Sequence, residues 1–295
     1  MSTTHIQVLG LTRWSYPFSG AGFRRSGEDL AALRARLYAP ARLDHRLFLL
    51  EHVVLPALRV QRDTDFTHLF LIGDHLPDPW RSRVMRLLAD VPQIAPVIRP
   101  EGEMQADLCR EVLRAHVDPG CDVVAQYRLD DDDGLARNFV LQTRRMFEQI
   151  APMFEEEGRF GLDFNRGFIL QSSRDDIAMR PVSMRFWAPG LVVFQRPDSK
   201  RALLDFPHLR LWHAMPTLSW NGRPMFIRGA HHDNDSVLAN FARRTRSFRF
   251  SPANPERYWR NHFGVDLPAM QEIWRREKAH FFGAEEAGEV RRPAA

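Results

Sequence analysis

Four aspartates stand in a row, Asp130 to Asp133, directly after the apolar stretch Val123-Val124-Ala125-Gln126-Tyr127-Arg128-Leu129. Two unit charges about 4 Å apart repel by about 4 kcal/mol at an effective dielectric near 20. A solvated acidic loop lowers that cost by splaying its carboxylates. Here the apolar stretch reads as a buried strand, so at least the first carboxylate begins where the strand stops. A hard divalent cation, Mg²⁺ or Mn²⁺, is the simplest compensation, because it takes carboxylate oxygens together with substrate phosphates. A turn or helix N-terminus, where the helix dipole favours carboxylates, is the bland alternative. A two-metal phosphatase or nuclease site is the competing enzymatic one. The spaced acidic pattern of a calcium-binding loop is absent.

The sequence around the run alternates strands and helices. Ile6 to Leu11, Phe66 to Ile72, Ile94 to Ile98 and Val123 to Leu129 are the expected strands. The Gly- and Arg-rich stretch Ser19 to Gly27 reads as a loop. Asp44 is expected to cap a helix through Leu47, Leu50, Val54, Leu55 and Leu58 that Pro56 kinks or ends. Asp78-Pro79 starts a helix carrying Trp80, Val84, Leu87 and Leu88. Met104, Leu108 and Val112 line the next helix, and Leu135, Phe139, Met146 and Ile150 another. Alternation of this kind predicts an α/β fold with a mainly parallel sheet flanked by helices, and ligands then bind outside the carboxyl ends of the strands. Thr12-Arg13, Gly73-Asp74 and Asp130 to Asp133 all fall at such ends.

The second half is less regular. Phe160, Leu162 and Phe164 alternate, and Val182 to Phe194 is strand-like but broken at Pro189-Gly190. Thr217 to Trp220 and Met225 to Ile227 fit a hairpin around Asn221-Gly222, with Pro224 confining the second strand to an edge. His231-His232-Asp233-Asn234-Asp235 precedes an expected helix through Val237, Leu238 and Phe241. Asp266 and Pro268 open a final one through Trp274. The expectation is one domain over residues 1–282, with a regular half (1–150), an irregular half (151–282), and a disordered tail over 283–295.

All but Lys200 and Lys278 of the 41 basic residues are arginine. An Arg-biased genome explains this, and so do guanidiniums facing phosphates and carboxylates. Arg243, Arg244, Arg246 and Arg249 interleave with Phe241, Phe248 and Phe250 and read as a basic helix end with packed aromatics, so nucleic acid is not an expected partner. Cys109 and Cys121 lack metal-site spacing and suit a reducing compartment. The N-terminus lacks signal-peptide character and no run is long enough to span a membrane, so a cytoplasmic location is expected, with peripheral membrane contact left open.

Tyr127-Arg128-Leu129-Asp130-Asp131-Asp132-Asp133-Gly134-Leu135 resembles the D-x-D signature of GT-A glycosyltransferases. Together with Leu9-Gly10-Leu11-Thr12-Arg13-Trp14-Ser15-Tyr16 and Phe66 to Gly73 it resembles, more narrowly, the bacterial putative rhamnosyltransferase family. The resemblance implies a GT-A-like (Rossmann-like) sheet and a metal-dependent, inverting transfer from a nucleotide-diphospho-sugar, dTDP-rhamnose being the first to consider, to a glycan or lipid-linked acceptor. It implies Asp130 at the sugar or ribose with Asp131 and Arg128 nearby, Asp132 or Asp133 on Mn²⁺ or Mg²⁺, and His232 as a further ligand. His231 is an equal candidate for that role, and for either histidine capping or core packing is the plain reading. Asp233, then Asp235, stands where inverting members keep a general base. Arg13 is assigned to phosphate, and Thr12 and Asp74 to the nucleotide. A non-catalytic nucleotide- or carbohydrate-binding protein, whose Trp187, Trp212 and Trp220 stack on sugars, and a metal-dependent phosphohydrolase are the alternatives.

Overall fold

The structure, a computed structural model, describes residues 4–19, 29–232 and 245–282. Its first strand is β1 (Ile6–Arg13), followed by α1 (Leu30–Leu37), α2 (Pro40–Leu49) and α3 (Leu55–Arg59). Then come β2 (Thr67–Gly73), α4 (Trp80–Ala89), β3 (Ile94–Arg99), α5 (Gln105–Ala115) and β4 (Val123–Arg128). The short β5 (Gly134–Leu135) leads into α6 (Phe139–Glu157). The second half supplies β6 (Arg159–Phe164), β7 (Arg166–Ser172), β8 (Ile177–Ser183), β9 (Leu191–Gln195), β10 (Thr217–Trp220), β11 (Phe226–Ala230), α7 (Pro255–Phe263) and α8 (Leu267–Phe281).

Seven strands form one sheet in the order β10-β6-β9-β4-β1-β2-β3, and four form a second in the order β5-β11-β7-β8. In the large sheet β1 pairs parallel with β2 and β4, β2 with β3, and β10 with β6; β9 runs antiparallel to both β4 and β6. The mainly parallel α/β sheet expected from the sequence is therefore present, with β9 its one reversed strand. Residues of both chain halves interlock in it, since β9 of the second half lies against β4 of the first.

Strand periodicity sets the layers. Side chains alternate between sheet faces, so Val8, Phe70 and Ile72 join the core with α2, α4, α6 and α8, while Leu9, Leu11, Leu69 and Leu71 join Leu108, Val112 and Leu113 of α5 on the other side. β3 is an edge strand, which is why Pro96 is tolerated there.

Several local expectations are corrected. Asp44 lies inside α2 rather than capping it, and accepts from Trp80 Nε1 at 2.7 Å. Pro56 does not end the helix: a π-helical turn over Leu50–Val54 precedes it and α3 continues beyond. The wider turn relieves the clash that a proline ring makes with the preceding turn. Met104 sits at the N-cap of α5 and is exposed, and Leu135 belongs to β5, not to a helix. The hairpin does not form. β10 pairs parallel with β6 in the large sheet, whereas β11 pairs with β5 and β7 in the small one and is an inner strand there. Pro224 falls before that strand, so it removes no ladder bond. The Gly-rich loop, the helix through Val237, Leu238 and Phe241, and the tail fall largely or wholly outside the described residues. Phe250 packs against Phe168 and Tyr258, as packed aromatics require. Among the described residues no helix is long and apolar enough to cross a membrane.

Asp163 at the end of β6 carries a structural charge. It accepts from Phe186 N–H at 2.9 Å and Ser219 Oγ at 2.8 Å, fastening a turn in which Phe186 has φ of 57°. A side chain in that left-handed region is costly without such an anchor. Burial pushes the carboxyl up to about 6. The unfolded chain ionises near 3.8, so as pH rises from about 4 to 6 it loses its proton before the folded chain does, and the native state loses up to about 3 kcal/mol. Asp163→Asn has no such titration. Urea unfolding of both proteins is expected to show wild type losing stability relative to the variant between pH 4 and 7; a constant difference would exclude this account.

Candidate active site

β4 belongs to the large sheet and β5 to the small one, so Leu129 to Asp133 is the whole covalent link between those two strands. The link is tight: Leu129 N–H donates to Leu11 O at 3.0 Å and Asp133 N–H to Asp130 O at 3.1 Å. The four carboxylates therefore cannot splay into solvent, and arginines meet them. Asp130 accepts from Arg13 at 2.7 Å and from Arg228 of β11 at 2.8 Å, with Arg128 at 3.8 Å. Asp131 accepts from Arg46 of α2 at 2.7 Å. Asp133 is fully buried, taking Arg228 at 3.0 Å on one oxygen and Gly229 N–H at 2.9 Å on the other. His231 Nε2 lies 3.1 Å from Asp132 Oδ2, and Arg46 lies 3.7 Å from it. Gly229 has to be glycine, because a Cβ there would stand 2.6 Å from the side chain and carbonyl oxygen of Asp132.

Burial opposes every one of these charges, and the arginines decide which survive. Against burial, Arg128, Arg13 and Arg228 hold Asp130 well below the usual carboxylate range. Burial also opposes Asp132, but the His231 hydrogen bond and Arg46 hold it low. For Asp131 burial wins over Arg46 and the carboxyl is raised. For Asp133 burial prevails over Arg228, with Asp132 and Asp130 adding to it, and the carboxyl rises to about 8. Four guanidiniums thus surround a run in which two carboxyls are pushed toward the neutral form.

Beside it opens a cavity of about 500 Å³ lined by Arg128, Leu191, Leu203, Phe206 and His208, among others. Burial lowers His208 to about 4, Arg128 adding to the effect, so it faces the cavity neutral. On the α2 side His45, His231 and His232 offer ligand atoms within 4.8 Å of one another.

Arg13, Arg128, Asp130, Asp131, Asp132, Asp133 and His232 are thus gathered around one link. Thr12 is fully buried, its hydroxyl donating to Leu129 O at 2.7 Å and lying 2.8 Å from His68, so it joins β1 to the end of β4 instead of facing the cavity. Asp74 stands at the end of β2, two strands across from β4, against His75 at 2.7 Å. Asp233 and Asp235 lie outside the described residues. Trp187 is buried and Trp220 packs edge-on to Phe164, while Trp212 is exposed beside Phe186. Sequence reasoning missed Arg46, Arg228, His45 and His208. Arg228 gave no motif, only a charge in a strand-like run, and His45 and Arg46 read as ordinary residues of an amphipathic helix.

An α/β sheet with an acidic, arginine-clasped link at the carboxyl end of a central strand defines the class. The chain belongs to the putative rhamnosyl transferase family, whose model matches residues 7–243, and so to a family of glycosyltransferases. No curated protein sequence matches it. Among solved structures it is similar to Staphylococcus aureus TarS 1–349 (9% identity, TM-score 0.38, 76% of this chain and 60% of that one). It is also similar to TarS 1–349 in complex with UDP-GlcNAc (10% identity, TM-score 0.39, 79% and 60%). The chain therefore spans less than two thirds of these TarS chains.

Arg228 closes the joint between the sheets, and removing one partner of a buried ion pair costs about 3–5 kcal/mol. Arg228→Met is expected to lower unfolding free energy in urea by about that amount. A loss below about 1 kcal/mol would show that Asp130 and Asp133 do not depend on it.

Proposed function

We propose that this chain is a metal-dependent glycosyltransferase that moves a sugar, rhamnose being the first to test, from a nucleotide-diphospho-sugar to a glycan or lipid-linked acceptor. The observation that carries the reading is the convergence of Arg13, Arg128 and Arg228 on Asp130, with Arg128 lining the cavity. Guanidiniums held this way are preorganised for the diphosphate, and Asp130 is held ionised to accept from a sugar or ribose hydroxyl. The cavity has the size for a nucleoside.

The donor set fits a divalent ion. Asp132 is nearly buried beside His231, and the buried His45 Nε2 has no hydrogen-bond partner. Asp132 and His232 would hold the ion, which supplies charge stabilisation to the departing nucleoside diphosphate. Asp132 is favoured over Asp133 because both oxygens of Asp133 are engaged by Arg228 and Gly229. Asp233, with Asp235 second, takes the acceptor proton in an inverting reaction, a role resting on the family resemblance.

A panel of nucleotide sugars with Mn²⁺ or Mg²⁺, dTDP-rhamnose first, tests the reading by donor hydrolysis. Charge stabilisation of several kcal/mol corresponds to at least about 100-fold in rate, so Asp132→Ala should lose that much. The melting temperature should rise only with Mn²⁺ and a nucleoside diphosphate together. A flat panel and an unshifted melt in the wild type would refute the proposal.

A further inference from the structure

His45 sits on α2 with 1% of its surface exposed, enclosed by Trp274 and Phe281 of α8. Its Nε2 is buried and has no hydrogen-bond partner. A buried polar atom left unpaired is unfavourable unless something absent from the protein itself meets it. Two further imidazoles approach the same place from the end of β11. The His231 ring lies edge-on to His45 at 4.9 Å between centroids, and the His232 ring lies parallel to it at 5.6 Å. One ring nitrogen from each of the three falls within 4.8 Å of the others.

We propose that His45, His231 and His232 form a three-imidazole site for a divalent transition-metal ion of the zinc type. Zinc–nitrogen bonds of about 2.0–2.1 Å in tetrahedral geometry put ligands about 3.4 Å apart, so the rings close slightly on the ion. Rotation of the exposed His232 supplies this movement. Asp132 stands behind the site: His231 donates from Nε2 to Asp132 Oδ2 at 3.1 Å, which assigns the ligand role to Nδ1. A carboxylate bonded to a metal-bound imidazole fixes its tautomer and raises its basicity. Among the described residues Arg46 is a nearby cation, 3.7 Å from Asp132, and it also meets Asp131 at 2.7 Å. Three neutral imidazoles select zinc, cobalt or nickel over magnesium, which prefers oxygen. The inference deepens the donor-site reading and rests on it only for the ion's place beside that site: His232 stays a ligand, His45 and His231 join it, and Asp132 acts through His231 instead of on the ion directly.

Metal-stripped protein should bind one Co²⁺ per chain with a visible absorption band, and Zn²⁺ should displace it. Outer-shell changes weaken metal binding by about 10–100-fold, so Asp132→Asn should fall in that range, and His45→Gln and the exposed His232→Ala should exceed about 100-fold. Wild type that binds neither Co²⁺ nor Zn²⁺, or His232→Ala and His45→Gln that both bind as wild type does, would overturn the site. The melting shift with Mn²⁺ and a nucleoside diphosphate reads the donor site separately, so either idea can fail alone.

Discussion

Arg228 fastens the joint where the chain passes from β4 of the large sheet to β5 of the small one. It is anchored in β11 of the small sheet, and its guanidinium reaches Asp130 and Asp133 at the two ends of the link that leaves β4. The same link carries Asp130 to Asp133. Folding of the joint and assembly of the site are therefore one event, and a change at the joint reaches the chemistry directly. The adjoining Gly229, whose N–H holds Asp133 and whose missing side chain leaves room for Asp132, serves both ends in the same way.

The electrostatics follow from burial. Carboxylates packed into a dry link cannot all remain ionised, and guanidiniums, which do not lose their charge, decide which do. Asp130 and Asp132 are held charged, while Asp131 and Asp133 are pushed toward neutrality. Arginine therefore suffices to balance the run. A cation is not required by charge compensation alone. The ground for one lies instead in the donor atoms, Asp132 and the imidazoles beside it.

The Arg-rich composition also takes on a local meaning. Arg13, Arg46, Arg128 and Arg228 come from β1, α2, β4 and β11, far apart in sequence, and meet at a single link. Sequence spacing carries no trace of that meeting. The other feature invisible to spacing is the orphaned nitrogen of His45, which gains significance only because α8 seals it and the end of β11 faces it.

The amino-acid sequence by itself determined the alternating β and α elements of the first half, the central place of Val123 to Arg128, and the position of the aspartates at its end. These follow from periodicity and from punctuation by Gly, Pro and Asp, which are local. The order of strands in the second half was decided by tertiary structure. Thr217 to Trp220 and Phe226 to Ala230 look like a hairpin because Asn221-Gly222 between them is a pair that hairpin turns favour, yet each finds a parallel partner in a different sheet. Pro56 was legible as a helix breaker, but packing of Val53, Val54 and Leu58 into the core keeps the helix running through a widened turn. Thr12 was legible as a residue at a strand end; only the fold turned its hydroxyl inward to Leu129. The Asp run was plain from the start. What met it, four arginines and a histidine cluster drawn from separated elements, was set by long-range packing, because ion pairs between distant segments leave no period in a sequence.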